Sequence, residues 1–174
     1  MTISTTTIKN SYSGNGSTSE FAYTFKISDE DHIQVIIRSS TGTETVKTKT
    51  THYTVGGVGG ASGGTVTFTS GNIPATGETV VLRRATTQTQ GLDLIENDPL
   101  PADNLETAFD KNLSIAQELQ EQIDRSFKVS RTNTITSSEF TTNATDRANR
   151  AIGFDDSGDL TTVSYTHLTL PTKA

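Results

Sequence analysis

Histidines and acidic clusters are the parts of this sequence whose side chains could bind a metal or transfer protons. His32 and His52 stand alone, and no H-E-x-x-H sequence supplies the second histidine that a zinc site on a helix requires. The clusters Asp29-Glu30-Asp31 and Asp155-Asp156 lack the alternating ligands of an EF-hand calcium loop. We therefore expect ordinary sheet, loop and turn residues at these positions, with no metal and no cofactor.

A glycine-rich stretch and the carboxylates also fail to indicate catalysis. GGVGGASGG at 56–64 lacks the Gly-Lys-Ser/Thr ending of a P-loop, and Ser62 stands where a dinucleotide fingerprint needs its last glycine. We interpret it as a mobile loop between strands. The chain has few aromatic residues, no Trp and no pair of carboxylates whose spacing suggests glycoside hydrolysis. We predict no catalytic residue and no enzyme activity within these residues.

Two adjacent arginines, Arg83 and Arg84, end the strand-like segment ETVVLRR. Neighbouring side chains of a strand point to opposite faces, so the two guanidinium groups have different surroundings. We expect one to pair with an acidic residue between Asp93 and Asp98 and the other to reach a partner protein. The alternative is a plain structural ion pair, worth at most ~1 kcal/mol if exposed. The candidate partner-binding residues are Arg83, Arg84, Asp93 and Glu96.

Composition limits the chain to one modest core and an appendage. Leu, Ile, Val and Phe supply 38 of the 174 residues, little more than the ~20% below which chains tend to be disordered. Packing between copies would relieve this shortage. The net charge of −6 disfavours a general nucleic-acid binder, and the absence of cysteine excludes disulfides. No apolar run suits a membrane span, and MTISTTTIKN lacks the apolar core of a secretory signal.

The fold class predicted from these patterns is mainly β with one long helix. Residues 1–97 should form a small antiparallel β-sandwich or barrel, because short apolar alternations are separated by turn residues. The clearest alternations lie at 21–27, 33–37, 66–68 and 80–82.

A long amphipathic helix is predicted from residue 104 to about 128. Asp103 is the candidate N-cap, with Glu106 in capping-box position. An apolar stripe runs along the helix and includes Leu105, Phe109, Leu113 and Ile123.

That stripe allows two arrangements. The helix either folds back over its own β-sheet or packs partly against equivalent helices of other copies. At ~36 Å it is longer than a domain of this size needs for its own core. Asn112 and Gln122 interrupt a clean heptad seam.

Residues 129–162 differ in composition, with Thr, Ser and Asn abundant at first. The sequence Asp155-Asp156-Ser157-Gly158 then stands between the apolar residues Ile152 and Phe154 on one side and Leu160 on the other. This pattern predicts a hairpin turn between two short strands. Such a strand pair has little core of its own and would depend on neighbouring chains.

The order of these segments resembles the N-terminal tail-attachment domain of tail fibres from short-tailed, T7-like phages of the autographivirus type. The likeness covers roughly residues 5–120. It rests on a strand of the type T-x-x-L-R-R-x-T, a variable loop, and a turn of the type L-x-A-x-[DN]-L-[NE] before the helix. The matching residues are Thr79, Leu82, Arg83, Arg84 and Thr86, then Leu100, Ala102, Asn104, Leu105 and Glu106. The segment GFDDSGDL is similar to units at the start of fibre shafts.

The resemblance implies a structural virion protein of the phage tail, made in the host cytoplasm and assembled as a homotrimer. It implies an attachment domain at 1–97, a linker and helix at 98–128, and the start of a shaft at 129–162. The implied partners are tail adapter or nozzle proteins and, through a distal part of the fibre, a host receptor; neither nucleic acid nor membrane insertion is implied. The four candidate partner-binding residues would dock onto the tail. The implied trimer-packing residues are Leu105, Phe109, Leu113 and Ile123.

The last twelve residues, 163–174, are predicted to be non-biological. VSYTHLTLPT is encoded by GTC TCT TAT ACA CAT CTG ACG CTG CCG ACG, which resembles a transposase mosaic end followed by a sequencing adapter. On this interpretation the natural reading frame continues past Thr162, and the chain is truncated there.

Two function classes remain open. The first is the structural module that anchors a trimeric tail fibre to the tail for host adsorption. The second is a carbohydrate-binding or depolymerising adhesin, whose active part would lie in a C-terminal region beyond this chain. The sequence does not distinguish a free phage from a prophage.

Overall fold

The computed structural model describes residues 2–93, 102–132 and 143–164. It contains two compact units, Met1–Ser126 and Phe127–Ala174. The architecture is mainly β with one long helix, which confirms the predicted fold class. None of the described helices is long and apolar enough to cross a membrane.

Two antiparallel sheets form the body of the first unit. The strands are β1 (Lys9–Ser13), β2 (Glu20–Tyr23), β3 (Ile33–Arg38), β4 (Glu44–Val46), β5 (Tyr53–Gly56), β6 (Gly64–Phe68) and β7 (Thr79–Arg84). One sheet has the order β1-β7-β3-β4 and the other β2-β6-β5. Strand β7 is therefore central, paired with β1 on one side and with β3 on the other.

One hydrophobic cluster joins the two sheets. Its members come from the alternations that the sequence showed, since Val35 and Leu82 on one sheet and Val66 and Phe68 on the other are all buried. Strand β2 ends at Tyr23, earlier than the alternation suggests, yet Phe25 downstream of it remains fully buried. The period-two pattern thus predicted burial better than it predicted strand length.

The glycine-rich loop between β5 and β6 is held by specific contacts, which the prediction of a mobile loop did not anticipate. Gly59 donates its backbone N–H to the carbonyl of Ile27 at 2.9 Å. Gly63 has a φ of +88°, and a Cβ there would lie 1.8 Å from the carbonyl oxygen of Tyr23. Only glycine fits this approach, so the glycines allow the loop to lie directly against β2.

Helix α1 (Ala102–Asp124) follows the sheets. It includes Ala102, so Asp103 lies in the first turn instead of capping the helix, and it ends four residues before the predicted position 128. Two side chains of α1, Ser114 and Glu118, are buried, and both are polar. The helix therefore packs within the first unit through a polar face.

The second unit contains a short helix α2 (Ala144–Arg147) and a hairpin of β8 (Arg150–Phe154) and β9 (Leu160–Ser164). The turn is where the sequence placed it, with Asp155 N–H donating to the Asp159 carbonyl at 2.9 Å. Val163 pairs with Ala151, so β9 extends two residues into the predicted non-biological segment. The large apolar side chains Ile152, Phe154 and Val163 are all exposed.

Candidate interaction surfaces

Arg84 lies at the centre of a buried network between β7 and α1. It follows Val80 and Leu82 on the buried face of β7, and its side chain is 1% exposed. Its Nε donates to Glu118 Oε1 at 3.0 Å, and its Nη2 donates to the Ser114 carbonyl at 3.2 Å and to Gln117 Oε1 at 2.6 Å. These bonds fix one turn of α1 to the last residue of the central strand.

Glu118 completes the network from the helix side. Its carboxylate accepts the backbone N–H of Thr86 at 3.0 Å and the Thr86 hydroxyl at 2.6 Å. Burial lowers the pKa of Arg84, while the hydrogen bond and the charge of Glu118 oppose that shift. The guanidinium Nη1 is buried without a hydrogen-bond partner among the described residues. A pair this enclosed is costly to break from one side, because the remaining charge stays out of water.

Further polar contacts hold α1 along its length. Lys26 Nζ lies 2.7 Å from Asp110 Oδ2, with both side chains largely buried. The other oxygen of Asp110 accepts the Ile3 N–H at 3.2 Å, and Gln117 donates to the Thr5 carbonyl at 3.1 Å. The N-terminal residues, Lys26 and the end of β7 thus all meet the same polar face of α1.

The apolar stripe of α1 faces away from these contacts. Phe109 is 64% exposed and Ile123 is 51% exposed, and Leu113 and Leu119 are also exposed. Leu105 is partly buried. The helix therefore folds against its own β-domain, as one of the two predicted arrangements requires, but its apolar side chains remain available, as the other requires. That Leu105, Phe109, Leu113 and Ile123 pack in a trimer stays a prediction.

Arg83 points to the other face of β7 and is partly exposed. It belongs to a group of charges that we call the Arg83 cluster, formed with Lys9, Glu121 and Arg125. Arg125 Nε lies 2.7 Å from Glu121, and Lys9 Nζ lies 3.9 Å from it. The hydrogen bond from Arg125 lowers the pKa of Glu121; burial opposes that shift, and the charges of Arg125, Arg83 and Lys9 add to it. Two of the cations form ion pairs with this carboxylate and Arg83 acts on it through its charge, while Glu44 is a further carboxylate that acts on Arg125.

The structure separates the four predicted partner-binding residues. The acidic partner of Arg84 is Glu118, because the phase of β7 turns Arg84 inward at the point where α1 lies. The expected pairing of one arginine with an acidic residue between Asp93 and Asp98 falls mostly outside the described residues and stays a prediction. Asp93 is exposed, and Glu96 lies outside the described residues.

Sequence reasoning did not single out Glu118 or Gln117. The available signal was the spacing of Asp110, Ser114, Gln117 and Glu121, which puts polar residues on one face of the helix. Such a face is normally assigned to solvent, because a helix usually buries its apolar side.

His32 is the one histidine among the buried polar residues described. Its two ring nitrogens lie 3.1 Å from the Ser28 hydroxyl and 3.0 Å from the Thr87 hydroxyl. Burial lowers the pKa of His32, although the charge of nearby Asp29 opposes that shift. The described residues contain no group of three His, Cys, Asp or Glu side chains placed to hold a metal ion.

Comparison with known proteins relates the chain to phage tail proteins. Residues 1–137 match the family described as the phage T7 tail fibre protein, N-terminal domain. The chain is also similar to the tail spike protein of Salmonella phage epsilon15, with 35% identity over 122 residues. That alignment covers 69% of this chain and 11% of the spike protein, so the chain corresponds to a small part of its relative's length.

Proposed function

Since this chain belongs to the family of the phage T7 tail fibre protein N-terminal domain, we propose that it anchors a homotrimeric fibre to the phage tail. Membership makes it a structural protein of the virion tail. The observation that carries the proposal is the extent of the match, which includes the whole β-domain and α1. The anchoring role and the trimer go further than the match itself and rest on two groups of side chains, one apolar and one charged.

The first support is apolar and is found in each unit separately. In the first unit α1 leaves Phe109 and Ile123 exposed, and in the second unit the β8–β9 hairpin leaves Ile152 and Phe154 exposed. Monomeric proteins rarely leave extended apolar patches in water, and equivalent surfaces on two further copies would cover them.

The second support is the charge of the Arg83 cluster at the protein surface. We assign docking onto a tail adapter or nozzle protein to this cluster and to the segment 86–97, with Arg83 and Asp93 as contacts; Glu96, a further candidate, lies outside the described residues. Arg84 has a structural role instead, because its guanidinium is buried and binds α1 within the first unit. One copy would contribute a modest interface, and three copies would raise the overall affinity through multivalency.

The test is a pull-down of purified fibreless tails by the trimer-forming chain. Lys9→Glu with Arg83→Glu reverses one exposed and one partly exposed charge and should reduce the retained tails at least tenfold. Arg147→Glu makes the same kind of change on an exposed residue of α2 in the second unit and should leave binding unchanged. If the double variant retains as many tails as the control, the docking surface is wrongly assigned. If even the unmodified chain retains no tails, the anchoring function is wrong.

A second function concerns the whole fibre, of which this chain is one part. Its relative is called a tail spike protein and is about nine times longer than the matched region. We infer that any glycan binding or depolymerisation belongs to a distal region. Host glycans retained by residues 1–162 alone, without tail binding, would favour the adhesin alternative.

A further inference from the structure

The exposed face of α1 has the spacing of a coiled coil. We call five residues the α1 seam: Phe109, Leu113, Ala116, Gln120 and Ile123. They follow one another by steps of four, three, four and three, which is the alternation of d and a positions in a heptad. All five are exposed. The seam spans ~21 Å at 1.5 Å per residue.

The β-domain does not compete for this face. Its contacts with α1 use Asp110, Ser114, Gln117 and Glu118, which occupy positions e, b, e and f of the same heptads. The two faces of α1 can therefore be occupied at once. Asn112 and Gln122, which interrupted the stripe in the sequence, fall at g and c and so lie off the seam.

The spacing selects copies of this chain as the occupant. A seam repeating every 3.5 residues is matched by a second helix with the same repeat, whereas a sheet surface has no such period. Leu105 and Leu119 at position g widen the apolar stripe on one side. A wider stripe suits a helix that faces two neighbours, as in a three-stranded bundle.

Gln120 is the one polar member of the seam. A single polar side chain at an a position is a known means of fixing helix register and number, at a cost in stability. Three glutamine amides at one level can hydrogen-bond to each other around the axis. Displacement by one heptad would set each amide against Leu113 of a neighbour and leave it unpaired in apolar surroundings.

We propose that the α1 seams of three copies pack in parallel and in register, and that the layer of Gln120 amides fixes that register. The inference rests on the homotrimer of the proposed function and assigns its helical contact. It does not depend on where the β-domain docks.

The absence of cysteine from the chain allows a direct test with single-cysteine reporters. Ala116→Cys and Ile123→Cys lie one heptad apart on the seam, and Gln122→Cys is the exposed control off the seam. Under mild oxidation each seam reporter should form disulfide-linked pairs at least tenfold faster than the control. In a mixture of the two seam reporters, with one carrying a size tag, pairs between residues 116 and 123 should be less than a tenth of all pairs.

Replacing the polar layer then tests the role of Gln120. In a Gln120→Leu background the association should persist, while pairs between residues 116 and 123 should rise at least threefold. Seam reporters that react no faster than Gln122→Cys, or pairs that stay in register in the Gln120→Leu background, would overturn the inference. The pull-down of tails tests the anchoring function separately. If tails are retained but the seam reporters form no disulfides, only this inference is wrong. If the disulfides form but no tails are retained, only the anchoring function is wrong.

Discussion

Replacing Glu118 with glutamine should destabilise the first unit strongly, although the change keeps the size and shape of the side chain. The carboxylate accepts from Arg84 Nε, from the Thr86 N–H and from the Thr86 hydroxyl, all at 2.6–3.0 Å. An amide has one acceptor oxygen in place of two, and its NH₂ group would face a donor. The arginine would stay buried with its charge uncompensated.

The expected magnitude follows from that enclosure. The Arg84 and Glu118 side chains are 1% and 8% exposed. Removing one partner of a buried pair costs ~3–5 kcal/mol. At ~4 °C per kcal/mol for a domain of this size, Tm should fall by about 12–20 °C.

Urea unfolding followed by circular dichroism measures this cost. All variants should be compared at one protein concentration, because assembly makes apparent stability concentration-dependent. Glu121→Gln is the matched control on the same helix: its partner Arg125 is 55% exposed, so the loss should be at most ~1 kcal/mol.

A double-mutant cycle measures the interaction between Arg84 and Glu118 separately from their contacts with other residues. Arg84→Met combined with Glu118→Leu should cost at least ~1 kcal/mol less than the sum of the single replacements, since it removes both charges together. If Glu118→Gln costs no more than Glu121→Gln, or the cycle shows no coupling, the network does not hold α1 to the sheet and the reasoning fails.

Three further predictions concern other parts of the chain. Burial holds the pKa of His32 below 6.5, so the folded state binds fewer protons than the unfolded state. The free energy of unfolding should therefore be highest above about pH 6.5 and fall as the pH drops. His32→Gln should flatten that pH dependence in urea titrations between about pH 7.5 and 5.5. Gly63→Ala should lower the free energy of unfolding by more than ~1 kcal/mol, because Gly63 has a positive φ and lies against the Tyr23 carbonyl. Gly71 also has a positive φ but has no atom within 4 Å of an added Cβ, so Gly71→Ala should cost less. Equal losses would show that the close contact is unimportant. Deleting Val163 to Ala174 should leave the thermal unfolding of the first unit unchanged, because it removes residues of the second unit only; a clear fall in that Tm would contradict the prediction that these residues are dispensable.

The sequence predicted much of the fold because it contains a strong apolar alternation and a strong turn signal. The alternation from Ile33 to Ile37 and the β8–β9 turn at Asp155 are where the patterns placed them. Strand β1, with the sequence KNSYS, carries no apolar alternation, since only one of its residues is large and hydrophobic. Its position is determined by pairing with β7, a contact between distant parts of the chain that a local pattern does not record.

The candidate surfaces were less predictable for the same reason. The apolar stripe of α1 was visible in the sequence, but nothing local showed that the opposite, polar face would be the buried one. Likewise, two adjacent arginines on a strand must point to opposite faces of the sheet, but their sequence does not indicate which of the two is buried. That choice follows from the phase of Val80 and Leu82 together with the position of Glu118, thirty-four residues away along the chain.

The attachment of α1 to Arg84 also determines how the domain would bear mechanical load. In an assembled fibre, tension reaching α1 passes through Glu118 and Gln117 to the last residue of β7. That strand is flanked on both sides, with five residue pairs to β1 and six to β3. Pulling it out requires both ladders to shear together, whereas an edge strand could be peeled away one hydrogen bond at a time. A pull on α1 would therefore be resisted by the strand that has the most pairing partners in its sheet.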